Sequence, residues 1–211
     1  MKLRASSGGG GGGERPAAGT YKASLVGVFD IGTQDGGAYG PKRQLLFMWQ
    51  LFQRGKPVLD SQGNHQTITK FYTASFNEKS NLRADVERLL GMKFKDGDEF
   101  DTTALLGRGC RLQLVEYQKQ NGEPGVKVSS IMALEEDEPE PKPSGDPIGF
   151  EISGTRCQIP SDVPQFVRNM IEKSSEWAGT VASSAADSKL NRDRDFNEFA
   201  NELAGRVAAG K

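Results

Sequence analysis

Residues 66–91, QTITKFYTASFNEKSNLRADVERLLG, limit the fold most, because the residue pattern changes period midway through them. Thr67, Ile68, Thr69, Phe71, Tyr72 and Thr73 are β-branched or aromatic types that suit a pleated strand. Leu82, Val86, Leu89 and Leu90 then recur at helical spacing and mark one face of a helix. Asn77 and Ser80 are candidate N-caps for it, and Gly91 is a candidate C-cap. Two strand-like segments precede this stretch and two follow it.

The first predicted strand covers residues 20–31. Tyr21, Ala23, Leu25, Phe29 and Ile31 share one parity and are expected to face a core, with Gly27 interrupting the row as a bend or bulge. In the second, residues 43–52, Leu45, Phe47, Trp49 and Leu51 are expected inward. Gln44, Leu46, Met48 and Gln50 then point outward. Two of these are apolar, which fits either a covering tail or loop or an apolar surface for bases. In the third strand, Ile68, Tyr72, Ala74 and Phe76 are expected inward, leaving Thr69, Phe71, Thr73 and Ser75 outside. A lone aromatic among hydroxyls suits a base-stacking platform, and equally a residue under a neighbouring loop. The last two strands, residues 110–118 and 126–134, flank the turn-forming NGEPG. In the fifth, Val126, Val128 and Ser130 alternate against Lys127, Ser129 and Ile131.

Three strands, a helix and two strands is the element order of the OB-fold, a five-stranded barrel with its helix between strands three and four. The expected fold class is therefore mainly β. Such barrels often bind single-stranded nucleic acid on the face of strands two and three.

Composition divides the rest of the chain. Six consecutive glycines, residues 8–13, lose much entropy on ordering, so residues 1–19 are expected to form a disordered arm before a barrel at 20–134. Residues 135–160 read as an acidic, proline-rich linker, with five carboxylates in 135–140 and four prolines between 139 and 147. Residues 161–211 read as a partly helical, partly disordered C-terminal region. A helix is expected over 161–174 on the stripe Val163, Phe166, Val167, Met170 and Ile171. A second is expected over 192–208, with Phe196, Phe199, Leu203 and Val207 on one side. Charge splits along the same line. Residues 1–134 hold 18 Lys and Arg against 13 Asp and Glu, a balance of +5, while 135–211 hold 9 against 15, a balance of −6. A basic barrel with an acidic tail points to a polyanion partner, and the tail is expected to compete for the same basic face.

Catalytic signals are weak. His65 is the single histidine, and the acidic cluster Asp96, Asp98, Glu99 and Asp101 lacks both a histidine partner and a Ca²⁺-loop spacing. No GK[ST] follows the glycine run. The expectation is a non-enzymatic protein with no cofactor and no metal. Cys110 and Cys157 are widely separated and read as reduced thiols. The first residues, MKLRASSGGG, lack the apolar stretch of a secretory signal, and no apolar run approaches the ~18 residues of a membrane span. A cytoplasmic location follows as an expectation.

Four stretches carry a family likeness: PAAGTYKASLVGVFDIGTQ, LLFMWQLF, FYTASFNEKSNLRADVERLLG and DVPQFVRNMIEKSSEW. Together they cover most of residues 16–177, and the third is the most specific, with Tyr72, Ser75, Lys79, Leu82 and Arg83. The chain resembles phage and bacterial OB-fold proteins of the single-stranded DNA-binding, replication-protein-like kind. The likeness implies single-strand binding and carries no catalytic residue.

The combined expectation is a sequence-tolerant single-stranded DNA-binding protein of a phage or phage-like replication or recombination system. Lys42, Arg43, Lys70, Lys79 and Arg83 would neutralise phosphates. Phe71 would stack on bases, with Met48 as an apolar neighbour and Thr73 beside it. Replication or recombination proteins would dock on the C-terminal helices. The alternative is an OB-fold protein–protein adaptor of a replisome or virion assembly. Oligomeric state is not legible in the chain.

Overall fold

The computed structural model describes residues 14–36, 40–153 and 158–179. The glycine run 8–13, Cys157 and the helix expected over 192–208 lie outside them.

A single 16-residue strand, β1 (Gly19–Gln34), is the spine of the molecule. It pairs antiparallel with β2 (Lys42–Gln53), and over its first residues with β5 (Gly109–Gln118). Its later part pairs in parallel with β7 (Ile148–Phe150). The far side of β2 carries the short β3 (Lys56–Pro57) and β4 (Thr67–Thr73), while β5 pairs with β6 (Pro124–Met132). Between β4 and β5 lie helix α1 (Asn81–Leu90) and a 3₁₀ turn (Thr102–Leu105); α2 (Gln165–Glu172) follows β7.

The fold is mainly β, as expected, but it is a seven-stranded open sheet, not a closed five-stranded barrel. The five longer strands run in the order β4-β2-β1-β5-β6, and no ladder joins β4 to β6 among the described residues. Arg15 and Pro16 line the gap between those two strands.

Three register shifts interrupt the described ladders, two between β1 and β2 and one between β5 and β6, and each one-residue shift reverses side-chain parity. The β1–β2 register skips a residue between Leu25 and Gly27. Tyr21, Ala23, Leu25 and then Val28 therefore face one core, while Val26, Phe29 and Ile31 face another. Phe29 and Ile31 thus lie opposite to the row predicted for them, because one extra residue turns every later side chain over. A Cβ on Gly27 would lie 2.4 Å from the Phe29 ring, so the bulge depends on glycine. In β6, Gln113 faces Ser130 but Leu114 faces Val128, which leaves Ser129 unpaired. Ile131 consequently joins Val128 in the core, against the predicted alternation.

The first core fills the inside of the curved sheet with Phe47, Trp49, Leu51, Tyr72, Leu112 and Leu114, and α1 covers it with Leu82, Val86 and Leu89. Tyr72 meets Phe47 edge-on at 5.0 Å. The caps of α1 are local. Ser80 Oγ accepts from Arg83 N at 3.1 Å, and Gly91 closes the helix in the left-handed region at φ 66°. Asn77 accepts instead from Lys79 N, one turn earlier.

The second core lies on the outer face of β1 and β2. Val26, Phe29, Ile31, Leu46 and Met48 pack there against Phe150, Ile152, Val163, Val167 and Ile171. The apolar outer residues of β2 are thus covered by the C-terminal segment. Residues 148–150, inside the stretch read as a linker, belong to the sheet. The amphipathic helix expected over 161–174 is present, and its stripe supplies Val167 and Ile171, both fully buried. Each is worth roughly 1.5–3 kcal/mol of burial. Among the described residues no helix is long and apolar enough to cross a membrane.

Candidate nucleic-acid interface

The open seam between β4 and β6 forms a cleft of about 360 Å³. One wall is the outer row of β4, where Phe71 stands 47 % exposed. The other wall is the β5–β6 hairpin, which presents Tyr117, 38 % exposed, and Lys127. Tyr117 faces Gly125 across the ladder, and a Cβ on that glycine would lie 2.7 Å from the ring. The missing side chain lets the tyrosine lie against the strand. Lys127 Nζ stands 5.2 Å from the centre of the Tyr117 ring, within cation–π reach.

The chain just before β1 bridges the seam. Glu14 accepts from Ser61 N at 2.7 Å, in the connection between β3 and β4. The Arg15 guanidinium donates to the Pro124 carbonyl, at the start of β6. Arg15, Lys70, Lys119 and Lys127 all line the cleft, and no carboxylate does so among the described residues. Two of these cations are balanced from outside it. Lys70 Nζ pairs with Asp85 at 2.6 Å, and Lys119 pairs with Glu123 at 3.3 Å.

The residues expected to bind nucleic acid divide. Lys70 and Phe71 reach the cleft, and exposed Thr73 continues the same row of β4. Lys79 is exposed ahead of α1, and Lys42 is exposed at the start of β2, both away from the cleft lining. Arg43 turns to Asp30, whose carboxylate is buried. That hydrogen bond raises the guanidinium pKa further above its ordinary value. Arg83 is only 8 % exposed; it donates to Glu87 at 3.1 Å and to the Phe94 carbonyl. Met48 is 1 % exposed in the second core. Arg83 and Met48 are therefore structural, because helix α1 and helix α2 claim them first. Arg15, Thr67, Tyr117, Lys119 and Lys127 are cleft residues that sequence reasoning missed. Lys127 stood in the alternation read for the last strand, opposite Val126 and Val128, whereas nothing local distinguished Tyr117 or Arg15 as cleft residues.

A larger cleft of about 670 Å³ lies elsewhere, lined by Asp30, Arg43, Glu99, Asp101 and Glu151 over Phe76, Phe100 and Phe150. Its carboxylates would repel phosphate. A third charged strip is covered by the acidic segment after β6. Glu138 pairs with Lys22 at 3.1 Å and with Arg111 at 2.6 Å, and Glu140 pairs with Arg108 at 3.7 Å. These cations sit on or beside β1 and β5, in the middle of the sheet and not at its seam. Among the described residues no group of His, Cys, Asp and Glu could hold a metal ion. Burial pushes the Cys110 thiol up to about 12, so it is inert at neutral pH.

Two carboxylates make acid stability predictable. Glu176 Oε2 accepts from Thr33 N at 2.7 Å and Oε1 from Thr33 Oγ1 at 2.5 Å, tying the end of the α2 region to β1. Burial opposes its ionisation, but these bonds outweigh that and hold its pKa down at about 2. Glu87 is likewise held at about 2, chiefly by Lys93 and by the Phe94 N–H. Both pKa values lie below the ordinary 4.5, so the stabilisation is fully present above 4.5 and disappears as pH falls through about 2. Thermal melts between pH 5 and pH 2 should show wild type losing its advantage over Glu176→Gln. A gap that stays constant across that range would contradict the assignment.

No protein-family model matches the chain, and no curated protein matches it.

Proposed function

We propose that the chain binds single-stranded DNA without sequence preference, as an OB-type barrel opened along the β4–β6 seam. The connectivity supports the fold part. The β1-β2-β4 meander, then α1, then the β5–β6 hairpin docked on β1 is the OB strand order, with β3 and β7 as additions. The observation that carries the function is the cleft itself, where two half-exposed aromatics, Phe71 and Tyr117, stand among cations with no lining carboxylate among the described residues. Aromatic faces stack on any unpaired base and cations follow the backbone, so such a surface is sequence-tolerant. Because α2 covers the outer face of β2, the strand is assigned to β4 and the seam, not to the whole face of strands two and three. The family likeness implies a place in phage or phage-like replication or recombination, and the proposal keeps the non-enzymatic, cytoplasmic protein expected from the sequence motifs. A second reading, a protein–protein adaptor, is favoured by the carboxylate-lined cleft over Phe76, Phe100 and Phe150.

Gel retardation with labelled oligonucleotides separates the two. Arg15 and Lys127, the lining cations outside the Lys70–Asp85 and Lys119–Glu123 pairs, are the best placed for phosphate contact, and about −0.7 per contact predicts a slope of log K against log[salt] of roughly −1.4. No retardation, or a slope near zero, would favour the adaptor.

A further inference from the structure

Building on the single-strand reading, we propose that the seam also contains a base-edge pocket at Thr67, distinct from the stacking position at Phe71. Thr67 is 4 % exposed, lines the cleft, and its hydroxyl has no hydrogen-bond partner among the described residues. A buried hydroxyl without a partner is unfavourable in the free protein, and a ligand that bonds to it removes that cost. The strand places it well. Thr67, Thr69 and Phe71 share one face of β4, and two-residue steps put Thr67 and Phe71 about 13 Å apart. One nucleotide cannot serve both, so Phe71 stacks on one base and Thr67 receives the edge of another.

The segment before β1 puts a phosphate ligand in the same cleft. Each of β2, β1, β5 and β6 is antiparallel to its neighbour in the series from β4, so β4 and β6 run the same way along the two walls of the cleft. Arg15, bonded to the Pro124 carbonyl, lines the same cleft as Thr67, with the buried Pro16 next to it and Glu14 held by Ser61 N in the connection that leads into β4. A guanidinium for the backbone and a hydroxyl for the base are what one inserted nucleotide requires. The hydroxyl both donates and accepts, so each of the four bases can satisfy it, in keeping with sequence tolerance.

The test is Thr67→Val with an oligothymidine and with the same strand carrying one abasic site, walked along its length. Valine keeps the shape and removes only the hydroxyl. The thermal midpoint should hold or rise slightly, while affinity falls about three- to tenfold. Thr67→Ser, which restores a hydroxyl, should bind close to wild type. One abasic position should weaken wild type and leave Thr67→Val little affected. Valine and wild-type proteins that bind equally well, while Phe71→Ala binds weakly, would overturn the pocket and leave the single-strand reading standing. A lowered midpoint in Thr67→Val would also overturn it, since the hydroxyl would already be bonded within the protein. If wild type itself does not bind the oligonucleotide, both readings fall together.

Discussion

Replacing Asp30 with alanine is expected to destabilise the protein by about 3 kcal/mol. Asp30 is buried in β1 and holds three parts of the chain. It accepts from Gly32 N at 3.0 Å, from Ile152 N at 3.3 Å, and from the Arg43 guanidinium on β2. The ion pair accounts for the smaller share, because the Arg43 side chain is 44 % exposed and water screens it. The larger share comes from two buried backbone N–H groups left without an acceptor, at roughly 1–3 kcal/mol each. For a domain of this size, 3 kcal/mol lowers the melting midpoint by about 6–12 °C. Asp30→Asn, which keeps a carbonyl acceptor, should lose less. Arg43→Ala should lower the midpoint yet leave DNA affinity unchanged, because Arg43 is engaged with Asp30 in a carboxylate-lined cleft. Denaturation of Asp30→Ala within ~0.5 kcal/mol of wild type would show that water replaces the lost acceptor.

The largest expected effect on binding is at the aromatic pair. Phe71→Ala and Tyr117→Ala should each weaken oligonucleotide binding by ~1–3 kcal/mol, the range for loss of one stacked base. Neither should cost much stability, since both rings are about half in solvent and outside the buried cores. Gly125→Ala should reproduce part of the Tyr117 loss without touching an aromatic. Its Cβ would stand 2.7 Å from the tyrosine ring and force it off the strand. Fluorescence anisotropy and melting curves on the same preparations decide the matter. If Phe71→Ala keeps full affinity but melts early, the ring supports the fold and stacks on nothing.

These tests fall where the sequence was hardest to read. The inward row of β2 was legible because Leu45, Phe47, Trp49 and Leu51 alternate without interruption. The rows of β1 and β6 were only half legible, because a single unpaired residue reverses the alternation and leaves no mark of its own beyond a glycine at position 27. The charged residues show the same division. Lys70 and Arg83 are cations in the sequence, but in the fold each already has a carboxylate, Asp85 and Glu87 respectively. Phe71 was singled out as a stacking candidate by its isolation among hydroxyls, a local signal that suited a loop-covered residue equally well, whereas Tyr117 required knowledge that the hairpin approaches β4.

The sequence by itself determined the succession of the five longer strands along the chain, the helix between β4 and β5 with its Gly91 cap and an N-cap narrowed to Asn77 or Ser80, and the apolar stripe of α2; it did not reveal the short β3 and β7. Periodicity and capping act over a few neighbouring residues, so the chain displays them directly. Tertiary structure alone decided that α2 covers Leu46 and Met48, that β4 and β6 approach without forming a ladder among the described residues, and that Arg15 reaches Pro124 across a separation of 109 residues. Those outcomes depend on which distant groups satisfy one another's burial and hydrogen bonds first, and no local pattern in the chain encodes that choice.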